Sequence, residues 1–163
     1  MEFCRALLEE DVRNNSAWNH RFFVLHAAPS TGGLAAHRES EVSFSLTSIL
    51  RAPSNPSPWS YLRGLFGRQL ATMAAHPEII PFCISLAEGK SPCVPALSLL
   101  LDLVCGGAHL SAEQSDKVGL SEGAGPSVAE QLCSLLVLLD PMRTQYWTHR
   151  KELVAQAVKQ GEW

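Results

Sequence analysis

One short pattern occurs twice in this chain and limits the folds that the chain can adopt. The stretches NNSAWNHRF (residues 14–22) and NPSPWSYLR (residues 55–63) share asparagine, serine and tryptophan at their first, third and fifth positions. Their tryptophans, Trp18 and Trp59, are 41 residues apart. A period of this length is typical of proteins built from stacked helix pairs, because neighbouring pairs together bury a core that one pair cannot bury alone.

A third tryptophan continues the pattern with one departure. Trp147 follows the second tryptophan by 88 residues, about two further periods, and the unit between them lacks its tryptophan. Arg143 stands where the earlier units have asparagine. Arg150 follows Trp147 by three residues, as Arg21 follows the first tryptophan. The sequence therefore predicts a further helix pair near the end of the chain.

Apolar residues recur with the spacing of an α-helix along most of the sequence, and no stretch shows the sustained alternation of a β-strand. The predicted fold class is all-α, a right-handed superhelix of antiparallel helical hairpins. We expect a single domain over residues 1–163, since this length is ordinary for one domain and 46% of the residues are hydrophobic. Its predicted parts are repeats near 11–50 and 52–90, a degenerate repeat near 91–105, a repeat at 127–160, and a flexible glycine-rich loop at 106–127.

The repeated asparagines and tryptophans are predicted to be structural. Asn14 (or Asn15) and Asn55 precede apolar helical stretches, where an asparagine side chain can accept from the first backbone N–H groups. Trp18, Trp59 and Trp147 are expected to fill the joints between hairpins. The arginines Arg21, Arg63 and Arg150 leave two interpretations open, contact with a partner or an ion pair with an acid of the next repeat.

The sequence lacks the patterns of several common sites. Its six histidines show neither H-x-x-x-H nor H-E-x-x-H spacing, and no two of its five cysteines form a C-x-x-C pair. Neither G-x-S-x-G nor G-x-x-x-x-G-K occurs. We therefore predict no catalytic, cofactor-binding or metal-binding residue in this chain.

The charge and hydropathy of the sequence limit the partners and the cellular location that we expect for this chain. The net charge of −3 gives no general electrostatic attraction to nucleic acid or to an anionic membrane. The most apolar segments, 94–104 and 132–139, are far shorter than the ~20 residues of a membrane-spanning helix. Charged residues interrupt the first eleven positions, so no signal peptide is predicted. The expected location is the cytoplasm, with neither nucleic acid nor membrane as a partner.

These segments resemble the α subunit shared by protein farnesyltransferase and type I protein geranylgeranyltransferase. The closest likeness is LLEEDVRNNSAWNHRFFV, residues 7–24, and NPSPWSYLRG at 55–64 resembles the repeat that follows in that family. SPCVPALSLLLDL at 91–103 is similar to a degenerate repeat, more weakly. LCSLLVLLDPMRTQYWTHR at 132–150 is similar to the C-terminal helical pair. The likeness runs in order through nearly the whole chain, apart from the loop.

The resemblance implies a crescent of helical hairpins wrapped around a globular β subunit. It implies transfer of a farnesyl or geranylgeranyl group from its diphosphate to a CaaX cysteine near a protein C-terminus. The β subunit of that family holds the catalytic zinc and sets the choice of lipid, and magnesium is implied for the holoenzyme. The α-subunit groups near the diphosphate come from repeats before the DVRNNSAW unit, so no catalytic residue is assigned here.

Two functions follow as hypotheses. The first is a partial α subunit, comprising the C-terminal repeats, that acts only with a β partner and CaaX-protein substrates. The alternative is a non-catalytic helical-repeat scaffold derived from that subunit, which binds other proteins. An independent enzyme is disfavoured, because the sequence shows no catalytic constellation.

Overall fold

The computed structural model describes residues 1–27, 33–121, 123–161 and 163. In this part of the chain it contains helices and turns but no strand, which confirms the all-α fold class. The helices are α1 (Glu2–Glu10), α2 (Asn15–Ala27), α3 (Gly33–Arg51), α4 (Pro56–Phe66), α5 (Leu70–Ala74), α6 (Ile79–Ala87), α7 (Val94–Cys105), α8 (Ala112–Lys117), α9 (Gly125–Leu139) and α10 (Thr144–Gln160), with a 3₁₀ turn at Pro141–Arg143.

The chain divides into two compact units, Met1–Arg68 and Gln69–Trp163. The first unit contains α1 to α4 and the second contains α5 to α10. The boundary between the units falls inside the predicted repeat at 52–90. The single domain, the division into four repeats and the handedness of a superhelix stay predictions.

In the first unit, asparagine precedes both helices that carry a repeated tryptophan. Asn14 Oδ1 accepts a hydrogen bond of 3.1 Å from the backbone N–H of Ala17, and Asn55 Oδ1 accepts one of 3.3 Å from Ser57. Pro56 takes the first helical position of α4, where a missing N–H costs nothing. Helix α2 then packs against α1, α3 and α4, and α3 packs against α4.

The two tryptophans of the first unit are buried in the same way. Trp18 and Trp59 are each 2% exposed. Each indole N–H donates to the backbone carbonyl six residues earlier, at 2.9 Å to Val12 and at 2.8 Å to Pro53. Because a buried indole N–H needs an acceptor, this shared bond fixes the orientation of both rings. The repeated sequence pattern thus corresponds to a repeated local structure.

Helix α7 forms the centre of the second unit and packs against α5, α6 and α9, while α10 packs against α9. Its apolar residues are buried on almost every side: Ala96, Leu97, Leu99, Leu100, Leu101, Leu103 and Val104. Trp147 of α10 is also buried, but its indole N–H donates to Asp140 Oδ2 at 2.9 Å instead of to a backbone carbonyl. The same carboxylate oxygen accepts from Arg143 Nε at 2.6 Å. In the helix pair that has Arg143 at the asparagine position, an aspartate therefore accepts the hydrogen bond of the tryptophan.

The structure differs from the predicted loop at 106–127. Helix α8 lies inside this segment, and α9 begins before its end, at Gly125. Ser111 Oγ accepts from the backbone N–H of Gln114 at 3.1 Å, and Gln114 Oε1 accepts from the N–H of Ser111 at 2.9 Å. This reciprocal capping box stabilises a short polar helix without any apolar period, so hydrophobic spacing gave no sign of it.

Among the described residues, no helix is both long and apolar enough to cross a membrane.

We expect Trp18→Ala to lower the free energy of unfolding by about 3–5 kcal/mol, the usual cost of truncating a buried tryptophan. Urea unfolding followed by circular dichroism measures the change. Phe23→Ala on the same helix is the matched control, since Phe23 is 65% exposed and its loss should cost within about 0.5 kcal/mol. Equal losses of unfolding free energy for the two variants would contradict the prediction that the Trp18 side chain fills the joint between helices.

Candidate functional site

A groove of about 300 Å³ runs between α2 and α4 in the first unit. Each of these helices carries one copy of the repeated pattern, so the groove lies between the corresponding helices of two repeats. Its lining comes in equal numbers from the two helices: Asn15, Trp18, Asn19, Phe22, Ser57, Ser60, Tyr61 and Gly64.

Aromatic rings form the floor of the groove. The ring of Tyr61 lies 5.0 Å from that of Trp18 and 6.1 Å from that of Phe22, measured between centroids. Gly64 makes this packing possible, because a Cβ at this position would come within 2.7 Å of Phe22 Cε2. The glycine therefore lets α4 approach the Phe22 ring, and the floor is continuous and apolar.

The rim of the groove is polar and carries no charge. It consists of the amides of Asn15 and Asn19 on α2 and the hydroxyls of Ser57 and Ser60 on α4. Ser57 Oγ donates to Asn15 Oδ1 at 3.2 Å, which bridges one end of the groove. Within the described part of the chain, the exposed side chains of Asn19 and Ser60 have no hydrogen-bond partner. Their polar groups are available to a molecule that enters the groove.

A buried ion pair lies behind the floor. Arg21 Nε donates to Glu41 Oε2 and Arg21 Nη2 donates to Glu41 Oε1, each at 2.7 Å. Tyr61 Oη donates to Glu41 Oε2 at 2.6 Å. All three residues are between 4% and 5% exposed. One carboxylate of α3 thus connects α2 to α4 and holds the Tyr61 ring in the floor of the groove.

The rest of the Arg21 guanidinium is also occupied. Its centre lies 4.1 Å from the centroid of the Phe44 ring, and Nη1 donates to the carbonyl of Met1 at 3.3 Å. A buried pair keeps its charges only when other groups satisfy the remaining donors and acceptors, because desolvation costs several kcal/mol per ion. In the described residues no buried side-chain nitrogen or oxygen lacks a hydrogen bond. The network, defined as Arg21, Glu41 and Tyr61, meets that condition.

Burial raises the pKa of Tyr61 above its ordinary range, and the hydrogen bond to Glu41 raises it further. Both effects disfavour the phenolate, the first by desolvation and the second because the neutral phenol is the donor. Tyr61 therefore keeps its proton in the folded protein at pH values where an unfolded tyrosine, with a pKa of about 10, loses it.

The three arginines for which the sequence left a partner contact or an ion pair open have different surroundings in the structure. For Arg21 it shows an ion pair with Glu41 of α3, which lies in the same predicted repeat (11–50) and not in the next one. Arg63 of α4 is half-buried. Arg150 of α10 donates to Asp102 Oδ1 at 2.9 Å and to Tyr146 Oη at 3.1 Å, so it too pairs with an acid inside its own unit. Partner contacts by these arginines stay a prediction.

Of the repeat residues, Trp18 alone lines the groove, while Asn55 links the two repeats. Asn55 Nδ2 donates to the carbonyl of Val12 at 2.9 Å, the carbonyl that also accepts from Trp18. Asn14 caps α2, and Trp59 of α4 is buried. Trp147 lies in the second unit.

The sequence reasoning missed Glu41, Tyr61, Asn19 and Ser60. Glu41, Ser45 and Ser48 follow each other at i, i+4 and i+7, and the structure shows that all three are buried. In the sequence this polar stripe runs beside the apolar stripe of Val42, Leu46 and Ile49, which is the pattern of a helix with a solvent-facing side, so it gave no sign that Glu41 is buried. Asn19 and Ser60 gave no signal, since single exposed polar residues on helices are common.

No group of three or more histidine, cysteine, aspartate or glutamate side chains that could hold a metal ion occurs among the described residues.

Comparison with known proteins agrees with the repeat structure. Residues 1–28 and 38–69 match the family of the protein prenyltransferase alpha subunit repeat. The chain is similar to protein farnesyltransferase/geranylgeranyltransferase type-1 subunit alpha of Arabidopsis thaliana (38% identical), of Pisum sativum (37%) and of Dictyostelium discoideum (33%). These alignments cover 96%, 96% and 94% of this chain, and 49%, 49% and 44% of the respective relatives.

The repeated helix pairs define the class of this chain, which is a helical-repeat protein. The comparisons then define the family: the chain belongs to the prenyltransferase alpha-subunit repeat family. It spans about half the length of the curated relatives that it matches. All eight residues of the groove lie in the two segments that match the family repeat.

Replacing Glu41 by alanine leaves the Arg21 guanidinium buried without its partner. We expect Glu41→Ala to lower the free energy of unfolding by about 3–5 kcal/mol, the range for breaking one side of a buried ion pair. Glu9→Ala is the control, because Glu9 pairs with Arg5 at 3.9 Å on the surface and its loss should cost under about 1 kcal/mol. If urea unfolding gives similar values for both variants, the network does not stabilise the fold.

The raised pKa of Tyr61 predicts a loss of stability at high pH. Above pH ~10 the unfolded chain releases the proton of Tyr61 and the folded chain keeps it, so rising pH favours unfolding. Below pH ~10 both states keep the proton, and Tyr61 makes its full contribution to the free energy of unfolding. We expect the stability difference between the native chain and Tyr61→Phe to be constant below that pH and to shrink above it. Tyr146 is present in both proteins, so it does not affect the difference between them. A constant difference up to pH 11.5 in thermal unfolding would refute the effect.

Proposed function

We propose that this chain functions as a partial alpha subunit of a heterodimeric protein farnesyltransferase/geranylgeranyltransferase type I. In this proposal it supports a beta subunit that transfers a prenyl group to the C-terminal CaaX cysteine of a target protein. The observation that carries the proposal is the 38% identity to a protein of that name over 96% of this chain. Because the chain covers only 49% of that relative, the activity of the whole enzyme does not pass directly to it.

The first unit supports this proposal structurally. Its two family repeats are held together by the Arg21–Glu41–Tyr61 network and by Asn55, whose bond to Val12 crosses from one repeat to the other. Repeat proteins bind partners through surfaces formed by successive repeats, because equivalent helices lie side by side. The groove between α2 and α4 is such a surface, and it is available to a partner chain.

The proposal assigns the prenyl-transfer chemistry to the beta subunit together with its zinc. Magnesium belongs to the proposed holoenzyme and not to this chain. The described residues of this chain supply packing, a fixed groove and uncharged hydrogen-bonding groups, which are the properties of a supporting subunit. The choice between farnesyl and geranylgeranyl is likewise proposed to depend on the beta partner.

Co-expression with a farnesyltransferase beta subunit tests the proposal. We expect the two chains to co-elute in size-exclusion chromatography, and we expect this chain alone to transfer no prenyl group to a CaaX peptide. The transfer assay on the co-eluting complex then measures whether the assembly is active or structural. Separate elution at micromolar concentrations of both chains would contradict the subunit role. Prenyl transfer by this chain alone would contradict the assignment of the chemistry to the partner.

A further inference from the structure

We propose that the groove between α2 and α4 holds an extended, uncharged segment of the beta subunit and recognises its main chain. This inference rests on the proposed function for the identity of the partner. Its chemistry rests on the eight residues of the groove, all of which belong to the first unit.

The spacing of the two rim amides suits an extended chain. Asn15 and Asn19 are four residues apart on one face of α2, so their positions along the helix differ by about 6 Å at a rise of ~1.5 Å per residue. Alternate residues of an extended peptide are about 6.6 Å apart at a rise of ~3.3 Å per residue. Two amides at this separation can therefore meet two peptide groups on the same edge of an extended segment.

The rim also has the hydrogen-bonding capacity that a main chain requires. Each peptide group carries one donor and one acceptor. Asn15 Oδ1 already accepts from Ser57, which leaves the Nδ2 donor of this lining residue for a ligand. Asn19 offers both a donor and an acceptor, and the Ser60 hydroxyl on the opposite helix can act as either.

The lining selects against charged side chains in the bound segment. No residue of the groove carries a charge, and its floor consists of the rings of Trp18, Phe22 and Tyr61. A charge brought onto this floor would lose water without gaining a partner, which is costly. In an extended segment the side chains alternate, so one apolar side chain would face the rings while its neighbours point away.

The floor is held in place before any partner arrives. Glu41 fixes the Tyr61 hydroxyl at 2.6 Å, and the Val12 carbonyl fixes the Trp18 indole at 2.9 Å. A surface that needs no reordering loses less entropy when it binds. The groove is therefore suited to a specific contact with one partner segment.

The test uses isosteric or small changes that add one charge to the rim. Asn19→Asp and Ser60→Asp each place a carboxylate at the groove, at exposed positions whose native side chains make no hydrogen bond among the described residues. Ser43→Asp is the matched control, because Ser43 is exposed on α3 and lies outside the groove. Each variant is co-expressed with the farnesyltransferase beta subunit, and its thermal unfolding is compared with that of the native chain.

We expect Asn19→Asp and Ser60→Asp each to reduce the amount of bound beta subunit by a factor of about ten or more relative to the native chain, a change of about 1.4 kcal/mol in binding. Ser43→Asp should bind the native amount. Native retention by Asn19→Asp and Ser60→Asp would overturn the groove assignment and leave the subunit role intact. An equal loss in Ser43→Asp would also overturn it, because the effect would then not belong to the groove. Failure of the native chain itself to retain the beta subunit would instead overturn the proposed function.

Discussion

The first unit depends on one buried carboxylate. Glu41 accepts two hydrogen bonds from Arg21 of α2 and one from Tyr61 of α4, so a single residue of α3 fixes two helices on either side of it. The pair is costly to desolvate, and this cost makes arrangements that separate the three groups unfavourable. The position of α2 relative to α4 follows from this constraint. The groove between those helices, with the Tyr61 ring in its floor, depends on the same constraint.

The tryptophans apply a second constraint that is repeated along the chain. In the first unit each indole N–H binds the carbonyl six residues earlier, and Asn55 binds the carbonyl used by Trp18. In the second unit Trp147 binds the carboxylate of Asp140 instead. The requirement to satisfy a buried indole N–H is thus constant while the acceptor varies. The acceptor is a backbone carbonyl or a carboxylate and in none of the three cases an asparagine side chain, so burial of the indole does not require the repeated asparagine.

Much of the fold could be predicted from the sequence, because its causes are local. Helical spacing of apolar residues located most helices, and Asn55 followed by Pro56 marked the start of α4. Helix α8 escaped prediction, since a capping box and not an apolar face stabilises it. The groove escaped as well. Its form depends on the meeting of Glu41 with residues twenty positions away on either side, a tertiary contact that local spacing does not reveal.

We propose that the repeats of this chain present the groove between α2 and α4 to a beta subunit. Photo-crosslinking tests this claim most directly, with a photoreactive benzoylphenylalanine at position 19 in the groove or at position 43 on α3. We expect position 19 to crosslink to one segment of the co-expressed beta subunit and position 43 to give no such product. Crosslinking from position 43 alone would contradict it, as would the absence of any beta-subunit product from position 19.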